Sequence, residues 1–99
     1  MATYIMLMKF LDPGLDSIQN ASAGRAAGKK AAKALGITWK QQYLIMCEYD
    51  VITILDAPSD EVVAKFALMG MTGSLAITTM RAFTESESDK LIKELRPPD

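Results

Sequence analysis

The chain has 99 residues, 11 basic and 12 acidic side chains, a formal charge of −1, and a composition that is 49% hydrophobic and 23% charged. That length allows one domain, expected to span residues 1–99, and the balance is that of a soluble globular protein rather than a disordered chain, a collagen or a strongly cationic nucleic-acid binder. There is no histidine, which excludes Ser-His and Cys-His nucleophilic pairs, a histidine general base and a proximal-histidine haem, and leaves almost no conventional zinc site.

Tyr4 to Phe10 reads as a strand, with Tyr4, Met6, Met8 and Phe10 on one side and Ile5 and Leu7 on the other. Asp12-Pro13-Gly14 breaks it, and an Ala- and Lys-rich stretch to Leu35 reads as a helix stopped by Gly36. This helix has no large apolar residue between Ile18 and Leu35. Gly24 and Gly28 each cost about 1 kcal/mol relative to Ala in a helix interior, so a break near Gly24 is expected.

Period two returns from Ile37 to Met46, with Ile37, Trp39, Tyr43 and Ile45 on one side and Lys40 and Gln42 among those opposite, a partly exposed strand. Cys47-Glu48-Tyr49-Asp50 reads as a hairpin turn, and Val51 to Leu55 is an apolar, β-branched run suited to the middle of a sheet. Ala57-Pro58 ends that strand. Ser59 is a good N-cap for a second helix with Asp60 and Glu61 in its first turn, Val62, Phe66 and Met69 on one face, and an end near Gly70 or Gly73. Leu75 to Phe83 alternates again, and Thr84-Glu85-Ser86-Glu87 fits a capping box for a last helix carrying Leu91, Ile92 and Leu95 before Pro97 and Pro98.

The order is βαββαβ with a C-terminal helix, an α+β fold of the ferredoxin-like type with a four-stranded antiparallel sheet in the order 4-1-3-2. The first and third strands are apolar on both sides, as central strands are, whereas the second and fourth carry Lys40, Gln41, Gln42 and Arg81 as edges do. Two crossover helices cover one face only. The other face then carries Ile5, Leu7, Ile52 and Ile54, or their alternates Tyr4, Met6, Met8, Val51 and Leu55. At roughly 25 cal/mol per Å², leaving several such side chains wet costs several kcal/mol, comparable to the stability of a domain this small. Sheet-to-sheet association of two copies is therefore expected, making the chain its own partner in a homodimer or a higher assembly.

The segments Glu48-Tyr49-Asp50-Val51-Ile52 and Asp56-Ala57-Pro58, with Met1-Ala2-Thr3-Tyr4-Ile5, Ala34-Leu35-Gly36 and Thr78-Thr79-Met80-Arg81-Ala82-Phe83-Thr84-Glu85, resemble the GYD domain family. The resemblance covers nearly the whole chain and implies a ferredoxin-like subunit of the dimeric α/β barrel type. Cys47 stands where relatives usually carry the signature glycine. Related barrels host haem degradation, cofactor-free oxygenation, isomerisation and ligand sensing, so the fold does not choose an activity.

Candidate chemistry is sparse. Tyr49 and Asp50 pair a phenol with a carboxylate able to bind a polar ligand or move a proton, with Arg81 as a stabiliser of developing negative charge, although Asp in a turn commonly accepts backbone N–H bonds instead. Glu48 and Asp50 alone lack the further oxygen ligands of a hard cation, so neither a metal nor a cofactor is expected. Met6, Met8, Met46, Met80, Trp39 and Tyr43 suit the wall of an apolar cavity for a small apolar or aromatic ligand, or an ordinary core. Cys47 reads as buried filler, and as the lone cysteine it cannot close an internal disulfide. The expected compartment is a reducing cytoplasm, since the first ten residues lack signal-peptide features, and no uncharged apolar run reaches the roughly 20 residues of a membrane span.

Residues 17 to 47 contain no acid and residues 48 to 61 contain five and no base. The near-zero net charge nonetheless gives no general attraction to nucleic acid. The expectation is a homodimeric ligand-binding or regulatory module, with two rivals: a cofactor-independent enzyme on small aromatic or carbonyl compounds, and a structural subunit assembling through the Ile37–Met46 edge.

Overall fold

The structure is a computed structural model that describes residues 1–11, 18–71 and 75–97. Strands β1 (Ala2–Phe10), β2 (Thr38–Leu44), β3 (Val51–Ala57) and β4 (Leu75–Ala82) alternate with helices α1 (Ala21–Ala34), α2 (Asp60–Met71) and α3 (Glu85–Lys93) in the order β1-α1-β2-β3-α2-β4-α3. The strands form one antiparallel sheet, β2-β3-β1-β4, which reads 4-1-3-2 counted from the β4 edge. The Asp12-Pro13-Gly14 break, the helix end at Gly73 and Pro98 lie outside the described residues.

Register decides which side chains meet the helices. Tyr4 lies opposite Leu55 and Met6 opposite Thr53, and these residues are buried with Ala57, Ala32, Ile37, Val63 and Ala67. The helix-facing side of β1 is thus the Tyr4-Met6-Met8-Phe10 side, and Ile5, Leu7, Ile52 and Ile54 occupy the opposite one. That resolves the two alternatives left by an apolar pattern on both sides.

β2 departs from strict alternation. Its pairing with β3 shifts between Trp39 and Gln41, because Trp39 is opposite Leu55 and Gln41 is opposite Ile54. One extra residue, Lys40, is accommodated as a bulge, and every later side chain changes face. Trp39 consequently sits on the helix side, its ring edge-on to Phe66 with centroids 6.5 Å apart. Tyr43 is turned to the opposite face, opposite Ile52. The expectation that Trp39 and Tyr43 share a side is corrected by this bulge.

Helix α1 runs unbroken through Gly24, whose N–H donates to the Asn20 carbonyl at 3.0 Å, so no break occurs there. Its end is a Schellman turn: Ile37 N–H donates to Ala32 C=O at 2.9 Å and Gly36 N–H to Lys33 C=O at 3.1 Å. Gly36 carries the required positive φ of 76°. Ala32 and Ile37, which this turn brings together, belong to the buried core.

Ser59 caps α2 as its hydroxyl accepts from the Val62 N–H at 3.3 Å. The residues α2 buries are Val63 and Ala67, with Val62 and Phe66 packed at their margin, while Met69 is half exposed. Thr84 and Glu87 close the capping box of α3 reciprocally, with Glu87 N–H donating to Thr84 Oγ1 at 3.2 Å and Thr84 N–H to Glu87 Oε1 at 2.9 Å. Among the described residues no helix is long and apolar enough to cross a membrane.

Candidate functional site

A large concavity lies between α1, α2 and the helix-facing side of the sheet. It is a partly open cleft of about 870 Å³, and its floor includes Met6, Met8, Thr53 and Trp39. Its existence follows from the composition of α1. From Ala21 to Ala34 this helix offers only Ala, Gly, Ser, Arg and Lys, and the residues it turns to the space are Ala21, Gly24, Ala27, Gly28 and Ala31. Small side chains leave a gap above the sheet that Leu or Phe would have filled, and close packing is the rule in interiors without such a gap.

The wall is mostly apolar, with Phe66 and Ile77 on the α2 and β4 side. Two polar groups sit on the floor: Gln42 Nε2 donates to the Thr53 hydroxyl at 2.9 Å, and Thr53 is almost fully buried. That bond leaves the Thr53 O–H and the Gln42 carbonyl oxygen as polar functions on the sheet side, and Asn20 and Ser22 add others from the α1 side. Arg25 borders the space, and the Lys29 ammonium lies 5.8 Å from the centre of the Trp39 ring. An apolar body held by dispersion, fixed by one hydrogen bond and approached past basic side chains, is what such an arrangement accommodates.

The turn before β3 is a separate structure. Asp50 Oδ2 accepts from the Phe10 N–H at 2.9 Å. Its own N–H donates to the Met8 carbonyl and its carbonyl accepts from the Ile45 N–H, both at 2.9 Å. One residue thereby pins the end of β1, the exit of β2 and the entry of β3. Cys47 is exposed rather than buried. Its sulfur accepts from the Tyr49 N–H at 3.3 Å and its thiol donates to the Tyr49 carbonyl at 3.5 Å, closing the turn locally in place of packing against a core. A family model described as the GYD domain matches residues 4–92. The chain belongs to the GYD domain family. Curated proteins give no match.

In this GYD domain Tyr49, Asp50 and Arg81 do not meet in one site, and none of the three lines the large cavity. Arg81 lies at the far end of the sheet. Its guanidinium stacks over Phe83 at 4.5 Å and lies 5.8 Å from the Tyr4 ring. It pairs with Glu87 at 3.6 Å and donates to the Thr3 and Ala82 carbonyls. Arg81 therefore ties β4 to the start of α3. The Thr84 backbone, the Thr84 hydroxyl and Arg81 together hold the Glu87 carboxyl below its ordinary value, with the backbone hydrogen bond the largest cause.

Of the residues suited to a ligand wall, Met6, Met8 and Trp39 do line the cavity. Met80 and Tyr43 stand on the opposite face of the sheet, Met80 because it pairs with Ile5 and Tyr43 because of the bulge. Met46 projects fully into solvent. The remaining titratable groups serve architecture. Tyr4 donates its phenolic O–H to Asp60 at the start of α2, and this bond with burial raises its pKa. Asp56 accepts from the Thr3 hydroxyl at 2.7 Å and pairs with Lys40 at 3.3 Å. Burial pushes the Asp56 carboxyl upward, but these donors outweigh it and its pKa is lowered. Among the described residues no group of three or more cysteine, aspartate or glutamate side chains is placed to hold a metal ion.

The small-residue wall of α1, together with Thr53, Phe66 and Ile77, is what pattern reading misses. Its signal was visible: a helix with Gly24 and Gly28 spaced by four and no large apolar residue in the sixteen positions between Ile18 and Leu35. That pattern equally describes a helix packed tightly on a sheet, and only the depth of the gap separates the two.

Proposed function

We propose that this GYD domain is a homodimeric ligand-binding module of the ferredoxin-like, dimeric α/β barrel type, which holds a small apolar or aromatic molecule in the chamber under α1. The observation that carries the reading is the chamber of about 870 Å³ with an apolar wall and the Gln42–Thr53 pair on its floor. Its size falls within the range of small-molecule sites. An apolar cleft of that size offers a small apolar molecule dispersion contacts that water does not supply.

Pairing of two chains is supported by the second face of the sheet. Ile5, Leu7, Ile52 and Ile54 share it with Met80 and Tyr43, and neither α1 nor α2 lies on that side. The ligand chamber and the pairing face are then back to back, separated by one sheet, so occupancy of one can be felt through β1 and β3 at the other.

The test uses Trp39, the single tryptophan, as an internal reporter. Titration with the apolar probe 1-anilinonaphthalene-8-sulfonate is expected to quench Trp39 saturably at one probe per chain and to raise the melting temperature. Ala31→Leu, on the helix wall of the chamber, is expected to abolish that binding while retaining the fold. Undiminished binding to a folded Ala31→Leu variant overturns the assignment of the chamber.

A further inference from the structure

The molecule is longer than its size demands. Its radius of gyration is 15.8 Å and its extents are 58 × 30 × 19 Å, where a compact domain of this length has a radius near 13 Å. Helix α3 is the element least held to the body. It packs over no extended part of any strand or other helix among the described residues, and its ties to the body are the Thr84–Glu87 capping box and the Arg81–Glu87 ion pair. Leu91 and Ile92, on its last turn, are 47% and 59% exposed, and Leu95, just past its end, is 75% exposed.

A helix of nine residues is marginal in water without an apolar surface to lie on. The pairing face of the sheet has the complementary deficit. Four strands about 4.8 Å apart and seven to nine residues long give a flat footprint on the order of 500 Å²; side-chain relief raises its accessible area toward, but with little margin over, the roughly 800 Å² a stable interface takes from each partner. Phe83, itself 55% exposed, adds up to ~150–250 Å², and Leu91 and Ile92 of α3 with Leu95 just beyond it add further apolar area. A shallow groove of about 480 Å³ runs between Thr84, where α3 begins, and Thr3, Gln41 and Ile54 of the sheet, so the helix leaves the body from the side on which the open face lies.

We infer that α3 is an exchanged arm: in the dimer it packs on the second copy of this chain, supplying the margin in area that the sheet face alone lacks. The inference rests on the pairing proposed above. Leu91, Ile92 and the following Leu95 of each copy meet the partner rather than their own sheet, and the two-fold relation makes the exchange reciprocal.

The test combines sedimentation with hydrogen exchange on the full chain. The wild type is expected to be a dimer in which amide protection of α3 rises with protein concentration in step with dimerisation. The Leu91→Asp, Ile92→Asp double variant is expected to remain folded by circular dichroism and to dimerise at least roughly 30-fold more weakly, the effect of losing a hot spot. Ile52→Asp, on the sheet face, is expected to abolish the dimer. A wild-type dimer unaffected by the α3 substitutions, or α3 protection independent of concentration, overturns the arm and leaves the pairing standing. A wild-type monomer at every concentration overturns both.

Discussion

Asp50 is the residue where a structural and a chemical reading predict different things. Its carboxylate accepts the Phe10 N–H at 2.9 Å, while its backbone bonds to Met8 and Ile45 do not depend on the side chain. Asp50→Ala removes one acceptor and leaves the Phe10 donor at the end of β1 unpaired. Losing the partner of a buried donor costs about 1–3 kcal/mol, and because Phe10 and Asp50 are only half buried water recovers part of it, so about 1.5 kcal/mol is expected. For a domain of this size the melting temperature falls by roughly 6–12 °C. Asp50→Asn keeps an acceptor oxygen in place and is expected to lose less than about half of that. Thermal melts followed by circular dichroism read both values. Asp50 lies outside the chamber wall, so probe binding by the folded variants is expected to be unchanged. A wild-type melting temperature in Asp50→Ala, or an Asp50→Asn variant as damaged as Asp50→Ala, refutes the account of the Asp50 carboxylate as the acceptor that holds the end of β1.

Two glycines in helices should respond differently to alanine. A Cβ at Gly24 meets nothing within 4 Å, so Gly24→Ala is expected to raise stability by about 1 kcal/mol, whereas at Gly70 the new Cβ falls 2.5 Å from Ile77 Cδ1 and the rotation forced on Ile77 offsets the helical gain to near zero. Urea melts of both variants check the difference, and equal gains would remove the claimed crowding at Gly70. The lowered pKa of Asp56 gives a pH dependence of definite sign: its contribution to stability is complete above the unfolded value of 3.8 and is lost as pH falls through the lower folded value. Unfolding free energies measured from pH 6 to pH 2 should therefore fall less steeply below pH 4 in Asp56→Asn than in the wild type, and an unchanged slope would deny Asp56 that role.

Much of this fold is legible in local patterns because its signals are local. Thr84 and Glu87 announce a capping box, Leu35-Gly36 announces a helix stop, and the two-sided apolar runs of β1 and β3 mark central strands; each depends on residues within a few positions of one another. The candidate site was less legible. Trp39 and Tyr43 exchange faces at a bulge whose position is set by pairing with β3, and alternation alone cannot report an inserted residue. The chamber under α1 is a property of the distance between a small-residue helix and the sheet, which no spacing within the helix encodes.

The amino-acid order by itself determines the elements, their succession, the membership in the GYD family and the surplus of apolar surface in the sheet, since these rest on short-range propensity and composition. Tertiary structure alone decides which side of β1 meets the helices, that Asp50 joins three strands, that Arg81 is spent on Glu87, and that Met6, Met8 and Trp39 share a chamber from which Tyr43 and Met80 are turned away. The physical reason is that facing and enclosure are relations between segments far apart in the chain. They are settled only when register, bulge and helix placement are satisfied together.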